Sequence, residues 1–413
     1  MYLKAEKFLY YLILILPLSL VSGPFLPDLI VSISSIIFLL ILFNKKEIIF
    51  LKNDFFIIIF IFYCFIVINS IFSEQKLLSL KNTSFYFRFF IFAFVLKYFI
   101  LNKKNFLKNF SISIFFTLVI ISCDAIIEFF LRTHWLFDKS NHAEFTVSNR
   151  ISGLFDEEYI LGGFILSFFP LSIILIKKFF TKKKLNNNLL YFTFLIIFIF
   201  SILISGERAS FSKLLILLVF FFLYSRILPN LKVKLISLFF LISIVFSIIF
   251  LNENLKERLI YQTLNSVFHM KIEEKINEEN DMVSFFKNKS IRDLKFTYFS
   301  IEHHNHALIS LRMFEDKKFF GHGVKMFRVM CSEEKYYIND RACSTHSHGI
   351  ILTFLSETGL IGLVFLLMAY IFIIKNFIIS QSILDRTLLI SIFLYLFPLL
   401  PSGYFFNNYY SII

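Results

Sequence analysis

Eleven apolar runs, each 15 or more residues long, recur along this chain at 8–22, 29–43, 55–72, 84–101, 110–131, 159–176, 189–205, 210–228, 234–251, 349–374 and 385–401. A helix that crosses a bilayer needs ~20 mostly apolar residues, in a range of about 17–25. In lipid, backbone N–H and C=O groups must be satisfied within the protein, so runs of this kind fold as helices. The run at 29–43 is short and is expected to extend or tilt. A twelfth run would have to begin near Gly403, and Ile413 comes too soon for it to cross, so the sequence is clipped or the last helix is absent. The first run is not read as a cleavable leader, because no A-x-A-like site follows it. Composition agrees. The chain is 57% hydrophobic and 17% charged, against roughly 45–50% and about 25% for soluble domains. A soluble enzyme and a disordered chain are both excluded. Four cysteines, none in a CxxC pair, make neither a disulfide scaffold nor a metal site. The expected fold is an all-α polytopic membrane protein of about 11–12 transmembrane helices. It divides into helices 1–9 over residues 1–251, one large loop at 252–347, and C-terminal helices at 348–413.

Orientation follows from Lys and Arg in the short loops. With Lys4 and Lys7 in the cytoplasm, alternation puts 18 basic residues inside and six in the short outer loops. The 96-residue loop at 252–347 then lies in the periplasm, and its 15 basic and 14 acidic residues nearly cancel. The +13 net charge therefore reflects cytoplasmic anchoring, and no nucleic-acid partner is implied. All nine histidines fall on the outer side: His134, His142, His269, His303, His304, His306, His322, His346 and His348. The inner loops are dominated by basic anchors, so any reaction is expected outside. No GxxxxGK[ST] loop occurs, and energy must come from the substrate or a gradient.

Four segments carry the candidate chemistry. Arg150-Ile-Ser-Gly-Leu-Phe-Asp-Glu-Glu leads into the sixth run; its plain reading is an interfacial Arg and an acidic helix entry. Ser205-Gly206-Glu207-Arg208 is a tight outer turn, where Arg208 either pairs with Glu207 or presents its planar fork to a phosphate. His306 to Glu315 forms an amphipathic pattern with Arg312 midway, and Phe319-Phe320-Gly321-His322-Gly323 turns the chain after it. His346-Ser347-His348-Gly349 opens the tenth run, with Glu357 and then Gly359-Leu360-Ile361-Gly362 following. Asp124, Glu128 and Arg132 share one helix face and read as an internally paired stripe or as acids that orient the site.

Together these segments resemble the O-antigen ligase and O-antigen polymerase superfamily of integral membrane glycosyltransferases, with a GT-C-like architecture. The resemblance runs from about Arg150 to Gly362. Its most specific piece is the stretch from His348 to Gly359-Leu-Ile-Gly362, where the family's spacing is kept. Gly349 and Leu363 stand where the ligases carry an amide or hydroxyl and a small polar residue.

The resemblance implies transfer of a glycan from undecaprenyl diphosphate to an acceptor, lipid A core or another glycan unit, at the outer face of the bacterial inner membrane. Fixed cations would stabilise the leaving diphosphate. Arg208 and Arg312 are expected in that role, with Arg88, Arg150, His346 and Glu357 as further substrate-binding candidates. His348 would be the general base. His346 is expected to stand apart from it and serve as a control. No Asp-x-Asp pair is present, and Asp28 alone is too little for a divalent ion, so no metal or other cofactor is expected. The ligase is the first expectation and the polymerase the second. A lipid-linked sugar transporter is the alternative from another class, but no internal repeat supports it. Cys331 and Cys343, 12 positions apart, are expected to bridge in an oxidising compartment.

Overall fold

A computed structural model describes residues 2–45, 54–131, 150–156, 158–180, 186–224, 230–268, 297–339 and 342–413. His134, His142, His269 and Arg132 lie outside them. The described residues form helices, turns and irregular segments, with no strand. In chain order the main helices are α1 (Tyr2–Ser19), α2 (Phe25–Lys45), α3 (Asp54–Ile71), α4 (Lys76–Thr83), α5 (Phe87–Asn102), α6 (Phe106–Leu131), α7 (Leu161–Phe180), α8 (Asn186–Ile204), α9 (Arg208–Tyr224), α10 (Leu231–Leu251), α11 (Ile301–Asp316), α12 (Gly359–Ile379) and α13 (Ile383–Tyr395).

All eleven apolar runs are helical over much of their length, and the chain is an all-α polytopic membrane protein. Six stretches among the described residues are long and apolar enough to cross a membrane: Leu3–Ser22, Phe25–Lys45, Lys76–Asn102, Phe106–Leu131, Lys234–Leu251 and Ile350–Ile379. That is fewer than the expected 11–12. Phe56–Ile71, Leu161–Leu175 and Thr193–Ile204 are shorter apolar helices. The short second run does extend, to the 21 residues of α2. The run expected at 385–401 stops at Tyr395, because Pro398 and Pro401 cannot continue the helical ladder. Beyond it, the chain folds back in a short helix, Asn408–Ile412.

Two apolar cores divide the bundle. One is built by α6 to α10 and α13, with Leu118, Ile165, Phe198, Ile202 and Leu214 fully buried. The other is built by α1, α2, α3, α5 and α12, around Leu9, Val31, Phe38, Ile66 and Phe99. Large apolar side chains such as Phe43 and Phe239 remain exposed around the outside, the surface a lipid-facing bundle requires. At one end, Glu6 is buried among Lys45, Lys103 and Tyr98, which ties α1 to α2 and α5. The opposite end carries the long loop.

Part of that loop makes its own small core from Ile309, Met313, Met326, Phe327, Met330 and Tyr336. Cys331 and Cys343 are bonded there, with Cα atoms 5.2 Å apart. This core is clasped to the start of α12. The amides of His322 and Gly323 donate to the carbonyls of Ser356 and Glu357, and those of Leu360 and Ile361 donate to Lys318 and Phe319. The crossing needs glycine: a Cβ on Gly321 would lie 2.5 Å from the Glu357 carbonyl carbon, and one on Gly359 2.4 Å from the Phe319 oxygen. Both also have positive φ.

A candidate active site at the loop end

The Ser205–Arg208 turn is built around its acid rather than its base. Gly206 reverses the chain with φ +66°. Glu207 then turns its carboxylate onto the N-terminus of α7, accepting the Gly162 amide at 2.6 Å, the Gly163 amide at 3.1 Å and the Ser210 hydroxyl at 2.7 Å. The first amides of a helix have no partner within it, and an anion suits their dipole. A Cβ on Gly162 would come within 2.5 Å of Ser205 Oγ, so glycine permits this approach. Burial pushes the Glu207 carboxyl up, against Ser210, Arg150 and the two amides.

With position 207 fixed, Arg208 reaches across to the chain after α10. Its Nη1 donates to Gln262 O at 3.1 Å and Ser266 Oγ at 2.6 Å, and its guanidinium lies 4.9 Å from the Phe299 ring centre. Arg258, on the helical segment after α10, donates Nε to Gly206 O at 3.3 Å and Nη1 to Gln262 Oε1 at 2.6 Å. Arg150 lies over the Tyr159 ring at 4.2 Å and donates Nη2 to Tyr159 O, while its buried Nε has no partner. Glu128 of α6 accepts the Gly153 amide at 2.7 Å and so fixes the turn that carries Arg150. The three guanidinium groups feel one another. Burial lowers each, Arg150 further lowers Arg208, and Arg150 and Arg208 together help bring Arg258 down to about 10. Glu207 and Glu302 offset part of this charge.

The second half of the site is a group of imidazoles. Ser300 caps α11, accepting the His303 amide, and Ser300 Oγ lies 2.6 Å from His303 Nδ1. His303 and His306 share a face of α11 by their spacing of three. His346 and His348 enter from the segment before α12. The His348 ring centre is 3.9 Å from His346, 5.1 Å from His306 and 5.3 Å from His303. His348 Nε2 meets Ser344 Oγ at 3.1 Å, and its φ of +52° is left-handed, a strained conformation for a residue with a Cβ. His306 is 5% exposed, with no partner for either ring nitrogen. Burial lowers all four: His303 and His346 to about 4, and His348 to about 2, where the other three imidazoles add to the effect. The imidazoles are therefore neutral at neutral pH. The two halves meet at Phe299, whose ring lies 5.4 Å from His303, with Arg208 on its other contact.

Glu357 does not reach His348. Fully buried, it accepts the amides of Lys325 at 3.0 Å and Phe327 at 3.2 Å and the Tyr404 hydroxyl at 2.5 Å. Tyr404 in turn packs 5.6 Å from His346, and Ser402 donates its amide to His348 O. Glu357 is thus a latch that holds the loop and the C-terminal segment against the histidines.

The structure brings Arg208, Arg150, His346 and His348 of the expected set into one region. His346 does not stand apart, so it is no independent control: the reversal at His348 folds the two rings together. Arg312 is exposed and donates to Tyr336 O and Tyr337 O, and Arg258 occupies the place beside Arg208. Arg88 lies in a separate cleft, paired with Asp28. Arg258, Glu302, His303, His306 and Tyr404 were not singled out by the sequence motifs. Among the described residues, no group of three or more His, Cys, Asp or Glu is placed to hold a metal ion. Arrangements of this kind can bind a diphosphate at the arginines and take a proton at an adjoining imidazole.

No curated protein matches the chain. Residues 193–367 match the family model described as O-antigen ligase, a segment that includes Arg208, Arg258, the four clustered histidines and Glu357. That match supports the resemblance of this segment to the O-antigen ligase and polymerase superfamily of membrane glycosyltransferases.

Proposed function

We propose that the chain is a ligase that transfers a glycan from undecaprenyl diphosphate to a hydroxyl of the lipid A core, at the periplasmic face of the inner membrane and without a metal ion. The observation that carries this reading is the meeting of three guanidinium groups with four neutral imidazoles across Phe299. The donor diphosphate lies against Arg208, Arg258 and Arg150. Their planar forks stabilise the negative charge that grows as the sugar C1–oxygen bond breaks. The acceptor oxygen bonds to C1, its proton passes to His348, and undecaprenyl diphosphate leaves. The diphosphate anion also raises the pKa of the neighbouring imidazoles toward the working range. Arg312 serves this site indirectly, by holding the loop backbone at 336 and 337.

Purified protein in detergent, given a lipid-diphosphate glycan and a lipid A core acceptor, should form the joined product equally well with and without EDTA. Loss of turnover on chelation would overturn the metal-free reading. In a deletion strain, loss of all attached surface polysaccharide supports the ligase; cores capped by a single repeat would indicate the polymerase instead.

A further inference from the structure

A cleft of about 740 Å³ lies apart from the arginine–histidine site, between α2 and the corner joining α4 to α5. Its α2 wall is a single stripe. Asp28, Ser32 and Ser35 line it toward the loop end, and Ile36, Leu39, Leu40 and Phe43 continue it toward the other. Steps of three and four keep these residues on one helix face. The wall therefore changes from polar to apolar with depth, over about 22 Å at roughly 1.5 Å per residue. One leaflet of hydrocarbon is about 15 Å deep, half of a ~30 Å core, so the apolar part, from Ile36 to Phe43 and about 10 Å long, covers roughly two thirds of a lipid chain's depth, and the polar part sits at headgroup level.

The polar mouth is cationic. Lys81, Asn82, Arg88 and Asn408 line it. Arg88 donates Nε and Nη2 to Asp28 Oδ1 at 2.9 and 2.7 Å, and Asn408 donates to Asp28 Oδ2 at 3.1 Å, so the one carboxylate is already engaged. Lys325 borders the mouth by donating Nζ to Asn82 Oδ1. Two lining cations, Lys81 and Arg88, thus face one acid, with Lys325 behind Asn82, and Lys81 is exposed. Ordinary lipid contact needs an apolar surface but no such set of cations.

We propose that this cleft binds one phosphate-bearing lipid, its phosphate at Lys81 and Arg88 and its chain along Leu39, Leu40 and Phe43. The site is separate from the donor diphosphate site and stands whether or not that reading holds. It does adjoin the chemistry: the Lys325 amide donates to Glu357 and to Tyr404, and Tyr404 packs on His346. Lys325 and Tyr404 thus stand between the mouth of the cleft and His346.

The test is native mass spectrometry of the full-length protein in a neutral detergent, with phosphatidylglycerol, a diacylglycerol of the same chains, or inorganic phosphate. One phosphatidylglycerol per chain should be retained, and the diacylglycerol about tenfold less, the effect of one charge-assisted hydrogen bond. Lys81→Ala and Leu39→Trp should each lower phosphatidylglycerol retention by about tenfold, whereas Arg208→Lys should leave it unchanged. Arg88 is a poorer probe, because replacing it also strands Asp28. Equal retention of diacylglycerol would reduce the cleft to ordinary lipid-facing surface. Displacement of the lipid by millimolar inorganic phosphate, with no effect of Leu39→Trp, would make it a free-phosphate site. Either result overturns the proposal.

Discussion

The two ends of the bundle handle buried charge in opposite ways. At the end away from the long loop, Glu6 is surrounded by Lys45, Lys103 and the Tyr98 hydroxyl, and Lys45 also bonds Tyr98. Each ionised group there has a partner of opposite sign, and the set ties three helices together. At the loop end, Arg150, Arg208 and Arg258 crowd one another against Glu207 and Glu302. Arg150 Nε and both His306 nitrogens are buried without partners. Leaving buried polar groups unpaired costs about 1–3 kcal/mol each. The first set is satisfied by its own partners, whereas the second keeps buried polar atoms without one.

That contrast is most sharply tested by removing one group from the loop end. His348→Ala should lower turnover with a lipid-diphosphate donor by ~10²–10⁴-fold while leaving donor binding intact, because the proton transfer occurs only in the transition state. Donor affinity that falls in step with the rate would show that His348 is a binding group instead. Next in size, Arg208→Lys should cost ~10²–10³-fold, the typical loss of one preorganised donor to a developing oxyanion. The ammonium keeps the charge but not the fork. Neither variant should lower the melting temperature much. Glu6→Gln should behave in the reverse way, destabilising the fold by ~1–3 kcal/mol with little change in turnover per folded molecule. Thermal unfolding and initial rates on the same preparations decide the matter; equal effects of all three on both readouts would erase the distinction between the ends.

The smallest expected effect is on pH dependence. His303 and His346 are lowered to about 4 in the fold, first by burial, from about 6.5 in the unfolded chain. The unfolded state therefore binds more protons between these values. Stability is full above about pH 6.5 and falls as pH drops toward 4. His303→Gln should shrink that fall, which a melting series from pH 7 to pH 4 would register.

Much of this fold was legible because a spanning helix announces itself by length and hydropathy. α2, α6 and α10 lie close to the runs that foretold them. The last run failed because apolar residues continue past Tyr395 although Pro398 and Pro401 forbid the helix. At the site, Arg208 and His348 could be picked out by motif, but their neighbours could not. Arg258 lies in a charged stretch where an Arg reads as solvated, and its only local signal is Gln262 four residues on, the partner it uses. His303 and His306 had the spacing of a helix face, yet only the folding of α11 against His348 gives that face a destination. Glu207 looked like a partner for Arg208; its carboxylate instead serves amides some 45 positions away in sequence, a pairing no local pattern encodes. Tyr404 joins the site through a fold-back of the C-terminal segment that long-range hydrogen bonds and the packing of Phe405 and Phe406 on Phe354 define.

The left-handed backbone at His348 has a practical consequence. Alanine at φ +52° keeps the strain of that conformation, whereas glycine adopts it freely. His348→Gly therefore empties the imidazole's space without asking the chain to leave its turn, and Ser344 and the ring of His306 still wall the gap. Free imidazole added to such a variant would find a vacancy of its own shape between Ser344 and His306. A rate that returns with imidazole concentration would identify proton transfer at this position by chemical complementation.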